Sequence, residues 1–240
     1  MYRDWKLDAD EVVALPLDEL ALLVLRDAHD NEELNWGNWL NDAKRAYSDR
    51  LDALQALGEA WGWLQSHGLI SWNPSQSHER AFVVSRKGQQ VLQDGMPWLR
   101  AVERLDISLV PELERTARPQ FLRGDFETAA FAAMKEVEVQ VRAKAGLGND
   151  LFGTALMQKA FRPPKNETDT GGPLYRAVLE AGESLAQMYL FMGAIGLFKN
   201  PTSHRRVDLS DPTEAAEIVL LADLLLRLLR KIELPSADEG

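Results

Sequence analysis

The chain has no cysteine, which excludes a disulfide framework, a thiolate metal site and a cysteine nucleophile. Histidine is scarce: His29, His67, His78 and His204 are the four. None stands three or four residues from another, and no carboxylate pair joins them at ligand spacing, so no metal site is expected. A Gly-x-Ser-x-Gly elbow and a Gly-rich phosphate loop are also missing, which removes the usual signatures of serine hydrolases and nucleotide cradles. The longest apolar run, residues 188–198, is too short for a bilayer span of about 20 residues. At the start of the chain Asp4, Asp8, Asp10 and Glu11 interrupt any apolar stretch, so no secretory signal is read there. The expectation is a soluble, cytoplasmic protein with no cofactor and no membrane partner.

What is present is the balance of an ordinary globular protein: 240 residues, 45% hydrophobic and 27% charged. That length suits one large domain or two small ones, with enough chain to bury a core. The charge is uneven. Residues 1–94 carry nine Lys or Arg against sixteen Asp or Glu, and residues 95–240 carry eighteen against twenty-one. The acidity therefore sits mainly in the first part.

Apolar residues recur at helical spacing over residues 16–28, 35–47 and 50–66, with Leu51, Leu54, Leu57, Ala60, Trp61 and Leu64 marking the third helix. His67-Gly68 ends it, with Gly where a helix commonly turns left-handed. Two short β-like runs follow, residues 69–72 and 81–85, joined by a polar hairpin loop. Another helix starts at Lys87. This order, with Ala60-Trp61-Gly62-Trp63-Leu64-Gln65-Ser66-His67-Gly68-Leu69-Ile70 and then Ser85-Arg86-Lys87-Gly88, resembles the recognition helix and wing of winged helix-turn-helix domains. The resemblance covers residues 14–93. Phosphate contacts need clustered Lys or Arg, and the third helix offers only Arg50 against Asp49, Asp52 and Glu59. A protein partner for this acidic domain is the more consistent expectation.

Gly95 and Pro97 break the pattern, which places the boundary between a winged-helix-like domain, residues 1–95, and a second domain, residues 96–240. The second domain reads as all helix, so the fold class is mainly α with one small β-hairpin. Its helices are expected over residues 110–122 (disturbed by Pro119), 125–145, 150–161 and 183–199. A last helix starts at Asp211-Pro212, with Glu214 three residues after the cap, and runs to about residue 232. A polar loop, residues 162–172, reads as mobile. The last helix is apolar almost all round, and such a helix must be covered on every side; a second subunit is one expected cover.

The chemistry concentrates in Phe198-Lys199-Asn200-Pro201-Thr202-Ser203-His204-Arg205, followed by Arg206. A histidine suits acid–base work near neutral pH, and Lys199, Arg205 and Arg206 can stabilise a phosphate or a developing oxyanion. A helix C-terminus also simply favours cations. Glu138 and Arg142 are four apart on the long helix and can pair.

Residues 132–142, 153–161, 192–205 and 212–229 together make the second domain resemble the HEPN superfamily of helical bundles. Within it they most resemble the branch called hypothetical Ymh, and the resemblance covers about residues 105–232. HEPN ribonucleases carry an Arg, a polar residue and, a few positions on, a His. Here Lys199 stands in place of the Arg, Asn200 supplies the polar residue, and His204 follows with four residues between. The resemblance implies a HEPN-like bundle that cleaves RNA without metal at the interface of a homodimer formed by this domain. His204, Lys199 and Asn200 would be catalytic, and Arg205, Arg206, Arg142 and Glu138 would serve substrate binding. Glu138 and Arg142 would alternatively form a structural pair or position His204 or Arg205. A toxin or anti-phage effector is the implied setting. The alternative is a non-catalytic dimeric adaptor or regulator that binds nucleic acid or a protein, since Lys lacks the planar fork of Arg.

Overall fold

The Asp8 and Glu11 carboxylates each accept from the other's backbone N–H in a capping box and open α1, Ala9–Ala14. This short helix has only Val12 buried, too little apolar signal for periodicity to reveal. The computed structural model describes residues 7–31, 35–77, 79–199 and 209–233. Over these the chain is mainly helical, with one small antiparallel hairpin as its only sheet, matching the class expected from the pattern. It divides into two compact units, Met1–Leu99 and Arg100–Gly240.

In the first unit, α2 (Leu17–Asp30) buries Leu20, Ala21, Val24, Leu25 and Ala28, and packs chiefly on α4 (Leu51–Ser66). Between them in sequence, α3 (Trp36–Ala46) starts at Asn35, whose side chain accepts from the Gly37 and Asn38 N–H groups. Trp39 on α3 is fully buried, and its indole N–H donates to Asp27 of α2 at 2.8 Å, so the one polar atom of a large core side chain is satisfied. Helix α4 ends at Gly68 with φ +67, the left-handed turn that glycine permits.

The hairpin pairs β1 (Ile70–Trp72) with β2 (Phe82–Val84), and Trp72 stands opposite Phe82. Asn35 bridges Ala81, and the Trp36 N–H donates to the Arg80 carbonyl at 2.9 Å. The hairpin is thereby tied to the start of α3. Helix α5 (Arg86–Arg104) is interrupted at Gly95, with φ 79 and ψ −177. Pro97 does not stop it: the proline lies in the first turn after the break, where a missing N–H costs nothing.

The second unit is a bundle around α8 (Phe126–Ala145). Ala129, Ala130, Ala133, Met134, Val137 and Val141 are fully buried, and the alanines let neighbouring helices approach closely. Two short helices, α6 (Pro111–Thr116) and α7 (Arg118–Leu122), meet at Ala117 where Pro119 forces a new start. They pack on α8, as do α9 (Gly153–Phe161) and, most extensively, the last helix, α11 (Pro212–Arg230). Asp211 caps α11 by accepting from the Thr213 N–H, with Pro212 at the first position. Between α9 and α11 runs α10, Ala181–Ala194.

Two expectations about packing change. Residues 162–172 are internally bonded: the Arg162 guanidinium pairs with Asp169, which also accepts from the backbone N–H of Lys165 and Gly171. These bonds, Arg162 first, hold the Asp169 carboxyl far below its usual range. Gly172 lies so close to the Ala160 and Lys159 carbonyls that a side chain would collide with them. The all-apolar α11, for its part, is covered inside its own unit. Ala215, Ala216, Val219, Ala222 and Leu225 are fully buried, and only Leu224 among its large apolar residues is half exposed.

Asp223 on α11 is a buried carboxylate in that interface. It accepts from the Val110 N–H at 2.7 Å and pairs with Arg227, which also donates to the Ser108 carbonyl. No helix among the described residues is long and apolar enough to cross a membrane.

Candidate functional site

After α10 the chain widens into one π-helical turn, Ile195–Lys199. Such turns are rare and occur frequently where function requires a side chain to be re-aimed. Gly196 permits it here, because a side chain at that position would press within 3.1 Å of Thr154 in the first turn of α9. The turn delivers Lys199 to α8, where its Nζ lies 3.3 Å from Oε2 of Glu138.

Glu138 is the centre of the arrangement. Its residue is 6% exposed, and burial by itself would push the carboxyl up. Three donors outweigh that. The Gly153 N–H donates to Oε2 at 2.9 Å, and Arg142 Nη2 donates to Oε1 at 2.8 Å. With the nearby charge of Lys199, they hold the Glu138 carboxyl below its ordinary value. Arg142 Nη2 also donates to the Leu151 carbonyl at 2.9 Å.

Each link has a local cause. The i, i+4 spacing on α8 sets Glu138 against Arg142. Phe152, at the N-cap of α9, makes no side-chain cap, so the N-terminus of that helix is satisfied from outside by the Glu138 carboxylate, an anion at the positive end of the helix dipole. One carboxylate thus joins α8, the start of α9 and the π-turn. It serves two cations, whose side chains are 17% and 15% exposed.

Of the residues singled out from sequence, the fold brings together Glu138, Arg142 and Lys199. Asn200, His204, Arg205 and Arg206 lie outside the described residues. The pairing of Glu138 with Arg142 was legible from spacing. The part played by Gly153 was not, since a backbone N–H leaves no side-chain signature. Among the described residues no cluster of three His, Asp or Glu could hold a metal ion.

Beside this site α10 presents an apolar face to solvent. Leu185, Tyr189 and Leu190 are exposed along it and Leu197 follows on the π-turn, with Tyr189 at 58% and Leu197 at 65%. Gly193 lies in the same stripe, and a side chain there would meet nothing within 4 Å.

No curated protein and no solved structure matches the chain. A family profile does: residues 108–229, about half of the chain, match the Hypoth_ymh family, described as a protein of unknown function. The matched span contains α8, α9, α10, the π-turn and most of α11, so it encloses the whole Glu138 arrangement. The chain belongs to the Hypoth_ymh family.

Proposed function

We propose that the second unit is a HEPN-type endoribonuclease that cleaves RNA without a metal ion, acting in the cytoplasm as a toxin or anti-phage effector. The observation that carries this reading is the ion-paired link from Glu138 to Lys199, the first residue of the Lys199-Asn200…His204 motif. A nuclease motif needs a rigid anchor, and a buried carboxylate bonded to two helices supplies one. In this scheme His204 takes the proton of a ribose 2′-hydroxyl or protonates the departing 5′-oxygen. Oxygen 2′ attacks phosphorus, the bond to oxygen 5′ breaks, and a 2′,3′-cyclic phosphate and a 5′-hydroxyl remain. Lys199 stabilises the charge on the phosphorane, Asn200 orients the phosphate, and Arg205 and Arg206 bind the flanking backbone. Glu138 and Arg142 act by positioning.

The exposed face of α10 supports a homodimer. A second copy seated there would bury Leu185, Tyr189, Leu190 and Leu197 and set two motifs near one interface. The first unit is read as a winged helix-turn-helix domain. Its helix order and the bridge from Asn35 to Ala81 support this, and its acidity favours a protein over DNA as its partner.

The test is incubation of purified chain with single-stranded and structured RNA in excess EDTA. Cleavage to cyclic-phosphate ends is expected, with a loss of about a hundredfold or more in His204→Ala. Intact RNA, together with equal growth of cells expressing wild type or His204→Ala, overturns the reading. One observation favours a second reading, a non-catalytic dimeric adaptor or regulator: the Lys199 ammonium is already engaged by Glu138, so part of its charge is spent inside the fold. Lys199→Arg separates the two, since restoring the fork raises cleavage only in an enzyme.

A further inference from the structure

All seven tryptophans lie within the first 98 residues, and four aromatic rings of this unit enclose a concave site. Trp36 on α3 stacks on Trp61 of α4 with centroids 3.9 Å apart, and Phe82 of β2 meets Trp61 edge-on at 4.7 Å. Trp72, on β1, stands across the ladder from Phe82, yet Phe82 is buried while Trp72 is 59% exposed. Between them lies a pocket of about 340 Å³, with Gln65, Glu79 and Arg80 on its rim. That volume falls at the lower end of binding cavities, which are apolar hollows with a few polar groups at the edge. A large aromatic side chain exposed beside a largely buried aromatic cluster is the composition of an interface anchor site.

The flank of the pocket narrows the occupant. On its outer face α4 exposes Gln55, Gly58, Glu59, Gly62 and Gln65, and residues 51–66 contain no Lys or Arg. Side chains added at Gly58 or Gly62 would meet nothing within 4 Å, so the fold itself does not require glycine there. Each glycine costs the helix about 1 kcal/mol relative to alanine, and both leave the α4 backbone open to close approach. The Arg80 side chain is packed over Gly37 at the start of α3, and Glu79 is the acidic group in the pocket lining, in a part of the chain where acidic residues outnumber basic ones. Nucleic acid is a poor match, because its affinity comes from Lys and Arg contacts to phosphate. A polypeptide carrying cations is a good one.

We propose that the groove between α4 and the hairpin binds a segment of a partner protein that presents one large apolar side chain flanked by Lys or Arg. The apolar side chain seats against Trp72 over the Trp36–Trp61 stack, the segment lies close to α4 across Gly58 and Gly62, and a cation beside the anchor faces Glu79. This site stands apart from RNA cleavage in the second unit and does not depend on it.

The test is selection of a random-peptide library displayed on phage against the full-length chain, followed by fluorescence anisotropy with a fluorescein-labelled selected peptide. Convergence on one Trp, Phe or Leu between basic residues is expected. Affinity should then fall about tenfold or more in Trp72→Ser, and Glu79→Lys should weaken binding most at low salt. Both positions are exposed, so both variants should melt as wild type does. The proposal is overturned if selection yields no such pattern, or if selected peptides bind both folded variants as tightly as wild type. It is equally overturned if a fluorescein-labelled DNA duplex binds wild type and loses that binding in Trp72→Ser.

Discussion

Replacing Glu138 by Gln tests the geometry of the candidate site without changing its size. Three donors converge on this carboxylate, from Gly153, Arg142 and Lys199. A carboxamide offers one oxygen, so its NH2 group is forced against at least one of those donors, and two largely buried cations lose their counter-charge. Breaking a buried pair by removing one partner costs about 3–5 kcal/mol. Arg142 and Lys199 keep some solvent contact, and Arg142 retains the Leu151 carbonyl; the lower end, about 3 kcal/mol, is therefore expected. For a unit of this size that is a fall in Tm of about 10 °C, read by calorimetry as a shift in the transition of the second unit.

The pH dependence has a definite sign. The Glu138 carboxyl is held below its ordinary value in the folded state, so its stabilisation is complete above the unfolded value and is lost as pH falls through the folded one. The gap between wild type and Glu138→Gln should be full near neutral pH and should narrow in acid below the ordinary glutamate range. A variant melting within about 2 °C of wild type at neutral pH refutes the reasoning, as does a gap that persists undiminished in acid.

Other perturbations read other parts of the molecule. Asp223→Ala should destabilise the second unit by about 2–4 kcal/mol, since it strands the Val110 N–H and unpairs Arg227; urea unfolding measures it. Gly172→Ala should lower the Tm of the same unit, because its side chain would strike the Ala160 and Lys159 carbonyls. Tyr189→Glu places a charge on the exposed α10 face and should turn the proposed dimer into a monomer by light scattering, with loss of the proposed RNA cleavage and an unchanged fold. In the first unit, Asp27→Ala removes the carboxylate that accepts from the Trp39 indole N–H and should lower the Tm of that unit, with an expected cost of about 1 kcal/mol.

Much of this protein was written along the chain. Helical periodicity marked α2, α3, α4 and α8, because each buries a stripe whose spacing follows from 3.6 residues per turn. Gly68 and the Asp211-Pro212 start marked helix ends through local backbone chemistry, and Glu138 with Arg142 declared a pair through spacing alone. Helix α1 stayed hidden, since six residues with one buried valine carry no period. Gly95 and Pro97 read as the end of a helix, yet the chain resumes one after the break.

Only the tertiary structure decided that Lys199 meets Glu138 sixty-one positions away and that a Gly153 N–H completes the same carboxylate. It also decided which apolar helix remains open. By composition α11 needed cover on every side, with a second subunit as one expected source; α8 and its neighbours provide that cover, and the exposed face belongs to α10. Periodicity tells which residues share a face. It does not tell which face finds a neighbour, because that depends on how every other helix in the bundle is already packed.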